Sequence, residues 1–168
     1  SLKEGLTVFR DQEFTSDTTS RAVKRIKEVR NLRTFQFPED AGPMSHPVQP
    51  DSYMEIDNFY THTVYEKGAE VIKIKKTIIG SEAFYRGMDL YFSSNDGKAV
   101  TVEEFVSAME KASGKDLKQF RLWYKQAGTP TVKVQLNFDK AARRLEIITE
   151  QTIPNTAGQN HKQPMHIP

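Results

Sequence analysis

The chain has 168 residues, 24 Lys and Arg against 22 Asp and Glu, and no cysteine. Its length suits one ordinary domain, or one domain with part of a second, and no apolar run approaches the roughly 20 residues needed to span a bilayer. A formal net charge of +2 calls for no polyanionic partner, while the missing cysteines exclude disulfide frameworks and thiolate metal sites and agree with a reducing, cytoplasmic setting.

Leu2, Leu6, Phe9 and Glu13 recur at helical spacing and predict a first helix over residues 1–16. Between Ser20 and Phe35 an apolar stripe of Ala22, Ile26, Val29 and Leu32 is surrounded by Arg and Lys, predicting a second helix that is basic outside. Residues 36–61 hold four prolines, one glycine and no sustained period. Their apolar and aromatic members, Phe37, Met44, Tyr53, Met54, Ile56, Phe59 and Tyr60, predict an ordered loop pressed against another surface.

A third helix follows from Thr63 to Ile79, with Val64, Gly68, Val71, Ile72, Lys75 and Ile79 on one face. Gly68 and Ala69 permit close approach of another backbone, at a propensity cost of about 1 kcal/mol for the glycine. A fourth helix, 81–93, is expected to bury Phe84, Met88, Tyr91 and Phe92. The fifth opens on "TVEE", a capping box of Thr101 and Glu104, and buries Phe105, Ala108, Met109 and Ala112. A sixth runs from Asp116 as N-cap to about Gln126 and ends at Gly128, with Pro130 beyond.

Past Gly128 the period changes to two. "TVKVQLNF" and "RLEIITEQTI" predict a β-hairpin that opens a β-rich domain, with the boundary near residue 128. The fold class is therefore α+β, with a helical unit over 1–128 and a β-rich unit over 129–168. The pattern is already helical at "SLKEGLTVF" and a strand-like register is still being set at "MHIP", so the sequence reads as a piece of a longer chain.

Few constellations carry chemistry. His46, His62, His161 and His166 include no pair at the i, i+4 spacing of a zinc-binding helix. Aligning Gly97 with the invariant glycine of a calcium loop puts Phe92 where a carboxylate is required. The basic second helix lacks interleaved aromatic platforms and reads as a solvated face, with no nucleic acid implied. What remains is Glu4 and Asp11, seven residues apart on one helix face and suited to a metal ligand and its supporting group, together with Tyr65 at the start of the third helix. On the residues alone, an acidic surface and a packed tyrosine suffice to explain them.

Two stretches, "SLKEGLTVFRDQEF" and "NFYTHTVYEKGAEV", closely resemble the bacterial aminopeptidase N branch of the zinc aminopeptidases, a gluzincin family with a thermolysin-like catalytic domain. The likeness continues through "EDAGPMSHPVQPD", "LYFSSNDGKAVTVEEFVSAME", "FRLWYKQAGTPTV" and "KQPMHIP" and covers nearly the whole chain. The resemblance implies the helical C-terminal part of the catalytic domain followed by the first strands of a β-sandwich. It implies Zn2+ as cofactor, Glu4 as the third zinc ligand, and Tyr65 as hydrogen-bond donor to the oxyanion of a tetrahedral intermediate. Asp11 would orient a histidine ligand, and Tyr60 would line the substrate cleft. The His-Glu-x-x-His and Gly-x-Met-Glu-Asn stretches that such a site needs do not occur in these residues. They would come from the remainder of the same polypeptide, and this segment alone is expected to bind no zinc and to be inactive. The substrates implied are peptides with a free N-terminus. The competing reading is a stand-alone, non-catalytic helical interaction module.

Overall fold

The computed structural model describes residues 2–168. Helix α1 (Leu2–Thr18) forms where Leu2, Leu6 and Phe9 recur on one face, and buried Phe9 meets Phe84 edge-on at 5.5 Å. Ser20 caps the next helix, its hydroxyl accepting from the Val23 amide at 3.4 Å, and α2 (Arg21–Asn31) packs beside α1. The chain then passes through a π turn, Leu32–Gln36, into the short α3 (Phe37–Ala41). The Phe37 amide reaches back five residues to the Leu32 carbonyl, and Pro38, which has no N–H, follows at once. The widened turn accommodates a residue that could not continue a regular ladder.

A loop containing the 3₁₀ turn Ile56–Phe59 leads to a second π turn, Thr63–Lys67, which runs directly into α4 (Gly68–Ile79). The face expected of this element is buried throughout: Val64, Gly68, Val71, Ile72, Lys75 and Ile79. Gly80, at φ +85, turns the chain into α5 (Ser81–Asn95), which packs along α6 (Val102–Ser113). The capping box of α6 is present, the Thr101 amide donating to Glu104 at 2.7 Å. A 3₁₀ turn, Gln119–Arg121, and α7 (Leu122–Lys125) complete the helical part.

The hairpin is antiparallel, β1 (Thr131–Asp139) with β2 (Arg144–Thr152), and pairs Leu136 with Ile147 and Phe138 with Leu145. Alternation puts Val132, Val134, Leu136, Phe138, Leu145 and Ile147 on one face, all exposed. After the hairpin the chain returns to the helices. Met165 is 2% exposed inside the core, the Trp123 indole donates to the His166 carbonyl at 2.8 Å, and Gln126 exchanges hydrogen bonds with the Gln163 backbone at 2.8 Å each way.

The apolar core encloses a lysine side chain. Lys75 is fully buried, its ammonium nitrogen 4.1 Å from the centroid of Phe105, with Phe120 and Tyr124 closing the cage and the Tyr124 hydroxyl 3.0 Å away. Burial, with a smaller contribution from Arg121, drives its pKa well below that of an ordinary lysine. The unfolded chain therefore holds a proton there that the folded chain lacks, from about pH 10.4 down to the folded pKa. Stability is expected to fall as pH falls through that window, and Lys75→Met should flatten the dependence in urea melts between pH 7 and 10.

Several sequence expectations are corrected. The apolar stripe of the second helix faces inward only at its C-terminal end, where Leu32 is buried and Val29 half-buried; Ala22 and Ile26 are exposed, Ile26 at 60%, and Glu28 is buried instead. Helix α2 is oriented by charge: Arg25 grips Glu70 with two bonds of 2.6 and 2.8 Å, and Glu28 pairs with Lys73. Helix extends past Phe35 to Ala41, into the segment expected to be loop. In that loop Val48 is buried, but Phe37, Met44, Tyr53, Met54, Ile56 and Tyr60 stand exposed, as does Phe92 on α5. The Asp116 carboxylate accepts from the Lys118 amide at 2.7 Å as an N-cap does, but the element it opens is a 3₁₀ turn, Gln119–Arg121, followed by the short α7, whose C-cap is Gln126 rather than Gly128.

Candidate active site

Two elements that pack together carry Glu4 and Tyr65. Glu4 lies in the first turn of α1, and Tyr65 is the middle residue of the π turn that opens α4. These elements cross at a pair of glycines. A methyl group added to Gly68 would sit 3.2 Å from the Gly5 Cα, and one added to Gly5 would sit 2.8 Å from the Gly68 carbonyl carbon. Glu4 adjoins this crossing on one side, and Tyr65 lies three residues from it on the other. Close approach at Gly68 was legible in the sequence; Gly5 as its counterpart was not. Gly5→Ala forces the two backbones apart and is expected to cost about 1–3 kcal/mol, read as a lowered thermal midpoint.

Glu4 is 8% exposed, a buried carboxylate at a helix start. Tyr65 is half-buried, and among the described residues its hydroxyl has no hydrogen-bond partner, while its ring lies 6.4 Å from that of Tyr60. Tyr60 is 53% exposed and rests edge-on against Phe59 at 5.6 Å. Asp11 is further along α1, exposed, and paired with Lys24 of α2 at 3.3 Å. The structure thus sets Glu4 and Tyr65 on the two elements that cross at Gly5 and Gly68, with the ring of Tyr60 beside that of Tyr65, and leaves Asp11 about two turns further along α1.

The support behind Tyr65 was not foreseen. Glu39 accepts from both the amide and the hydroxyl of Thr63, at 2.8 and 2.6 Å, at the start of the π turn. Gln36 donates to the same hydroxyl at 3.2 Å. At the other end of the turn the Lys67 ammonium lies 2.6 Å from Asp40 and 3.1 Å from the Gly128 carbonyl. Asp40 also accepts from the Gly128 amide at 2.7 Å, Thr129 at 3.0 Å and Ser45 at 3.1 Å. Burial alone would raise the Asp40 pKa, but the Lys67 charge and these donors hold it below the usual carboxylate range. A Glu-Asp pair in a proline-rich stretch gives no periodic signal, so sequence reasoning passed over both.

A model of the Peptidase family M1 domain matches residues 1–124. The chain belongs to peptidase family M1. Residues 128–168 of this M1 chain match an Ig-like fold described as a domain of unknown function, DUF3458. Over its full length the chain is 56% identical to an aminopeptidase N of Haemophilus influenzae and 55% identical to one of Escherichia coli, and it spans 19% of the length of each. A crystal structure of Legionella pneumophila aminopeptidase A in complex with aspartic acid is similar to it in fold, with a TM-score of 0.77 and 27% identity. That likeness covers 94% of this chain and 17% of the other. The M1 chain is therefore a helical part of a peptidase M1 domain joined to an Ig-like segment.

Among the described residues of the M1 chain no group of three His, Asp or Glu side chains is arranged to hold a metal ion. The donor set would fit a share of a zinc site: Glu4 would offer one buried carboxylate, where zinc takes three protein ligands and a water. No helix among the described residues is long and apolar enough to cross a membrane.

Proposed function

We propose that this M1 segment is one part of the active site of a zinc aminopeptidase, a metalloprotease that removes N-terminal residues from peptides with a free N-terminus. Residues 1–128 form the helical C-terminal portion of its thermolysin-like catalytic domain, and residues 129–168 open a β-sandwich domain. The observation that supports this reading is the close crossing at Gly5 and Gly68, which joins the helix carrying buried Glu4 to the turn carrying Tyr65, whose hydroxyl has no hydrogen-bond partner among the described residues. The cysteine-free composition favours work in the cytoplasm.

Glu4 would provide one ligand to zinc, the others coming from the rest of the polypeptide. Zinc, when bound, polarises the scissile carbonyl and lowers the pKa of its water toward about 7. Negative charge then develops on the carbonyl oxygen, and the Tyr65 hydroxyl donates a hydrogen bond to it. A phenol is well suited to that role, being a good hydroxyl donor carried on a ring that holds it in place. Tyr60, its ring tilted 49° to that of Tyr65, forms part of the cleft wall. Asp11 accepts a hydrogen bond from the second ring nitrogen of a histidine ligand, exchanging its Lys24 contact for that role. Alone, the segment holds one ligand and is inactive.

The test is Glu4→Gln in the full-length enzyme that carries this segment, read by zinc content and by hydrolysis of aminoacyl anilides. An amide in place of the carboxylate is expected to cut zinc affinity by at least about 10-fold and turnover with it. Full zinc occupancy with unchanged turnover would remove Glu4 from the site.

A further inference from the structure

Tyr65 sits at the centre of a five-residue π turn whose two ends are each held by an acidic side chain, and those two acids are neighbours in sequence. Glu39 binds Thr63 through amide and hydroxyl, and Asp40 binds Lys67. Thr63 and Lys67 are separated by one helical turn, so the pair of acids spans the turn that carries the phenol. The turn also closes on itself, with the Tyr65 amide donating to the Thr61 carbonyl at 3.1 Å and the Val64 amide to the Thr61 hydroxyl at 3.2 Å.

The two anchors differ in kind. Asp40 is 1% exposed and also binds Gly128 and Thr129, so it belongs to the junction between the helices and the hairpin as much as to the turn. Glu39 is half-buried, and the hydrogen bonds its carboxylate accepts both come from Thr63. Both reach a single oxygen, Oε1, which holds the first amide of the π turn where no backbone carbonyl of the preceding loop does so.

We propose that Glu39 is a positioning residue for Tyr65: through Thr63 it fixes the start of the π turn and thereby the place of the phenol oxygen. The inference rests on the reading of Tyr65 as oxyanion donor for its kinetic consequence, and on the hydrogen bonds alone for its structural one. A donor to a developing charge must sit at hydrogen-bond distance from the transition-state oxygen, and a displacement of about 1 Å can cost on the order of 100-fold. Loosening the turn therefore lowers kcat through Tyr65 and leaves substrate binding alone.

The experiment uses the full-length zinc enzyme with Glu39→Ala, Glu39→Gln, Tyr65→Phe and the double variant Glu39→Ala/Tyr65→Phe. Glu39→Ala is expected to lower kcat by about 10- to 100-fold with KM and zinc content unchanged. Glu39→Gln should restore kcat to within about 3-fold, since an amide oxygen in the place of Oε1 still accepts from both Thr63 donors. In the Tyr65→Phe background Glu39→Ala should change kcat by less than about 2-fold, because residues acting through one group are not additive. A purely structural Glu39 would instead lower kcat equally in both backgrounds, and that result overturns the proposal. Hydrogen exchange separates the two readings. Glu39→Ala should speed exchange of the Thr63–Lys67 amides, and unchanged exchange sinks the positioning role whatever Tyr65 does. A Tyr65→Phe enzyme with normal kcat, alongside accelerated exchange in Glu39→Ala, sinks the oxyanion reading and leaves the clamp standing as structure. Should Glu39→Ala fail to fold, Thr63→Val removes the hydroxyl half of the same contact and carries the same measurements.

Discussion

Tyr65→Phe in the full-length enzyme is expected to lower kcat by about 100- to 1,000-fold while KM changes by no more than about 3-fold. The substitution removes one oxygen. The ring keeps its place beside Tyr60 at 6.4 Å, and the hydroxyl has no partner among the described residues to be left stranded. The thermal midpoint should therefore stay within about 1 °C of the parent, because nothing that supports the fold is lost. An interaction formed only as charge develops on the substrate lowers kcat and kcat/KM together, which distinguishes it from a contact that merely holds the peptide. Steady-state kinetics on an aminoacyl anilide give the answer directly. A kcat within about 3-fold of the parent would mean that the phenol donates nothing to the transition state.

Asp40→Asn is expected to be the most destabilising polar substitution in the chain, at about 3–5 kcal/mol. Asp40 is 1% exposed and takes four donors, with Lys67 and Thr129 on one oxygen and the Gly128 amide and Ser45 on the other. An asparagine can keep the second set but turns an amide donor toward the Lys67 ammonium, which is itself buried. The cost is mainly that of a buried cation without its counter-charge. Lys67→Met placed on top should accordingly recover more than about 1 kcal/mol, a coupling that urea denaturation of the four corners of the cycle would reveal. Additive losses would show that the pair contributes no mutual energy. The same geometry sets an acid limit. Because the folded Asp40 pKa lies below the ordinary value, its contribution is complete above about pH 4 and is lost as pH falls through the folded pKa.

What sequence reasoning reached, it reached through periodicity and local chemistry. The buried face of α4, Lys75 included, follows from a period of 3.6, the Thr101–Glu104 capping box from its spacing, and the hairpin from alternation. Glu4 and Tyr65 became candidates through family resemblance, since spacing alone left both explicable as surface and packing. The π turns were illegible because they differ from an α-helix in hydrogen bonding and not in residue pattern; residues 32–35 read as the end of an ordinary helix, and Gln36 as the start of the loop. The Asp40 network was illegible for another reason. Its partners lie 27 and 88 residues away, and no local rule joins an acid in a proline-rich stretch to a lysine on one helix and an amide beyond another.

The strand-forming residues also bear on how the molecule is made. The match to the peptidase domain stops at residue 124, yet Met165 fills the helical core and the His166 carbonyl accepts the Trp123 indole. A ribosome that has finished the helices has therefore not finished their core; that waits for some forty more residues, including the whole hairpin, to emerge. Lys162 then closes the base of the excursion, donating to Ala127 and Thr156 at 2.7 Å each. A protein cut at the family boundary would lose the plug of its own helical half, so the unit that folds is longer than the unit that sequence comparison delimits.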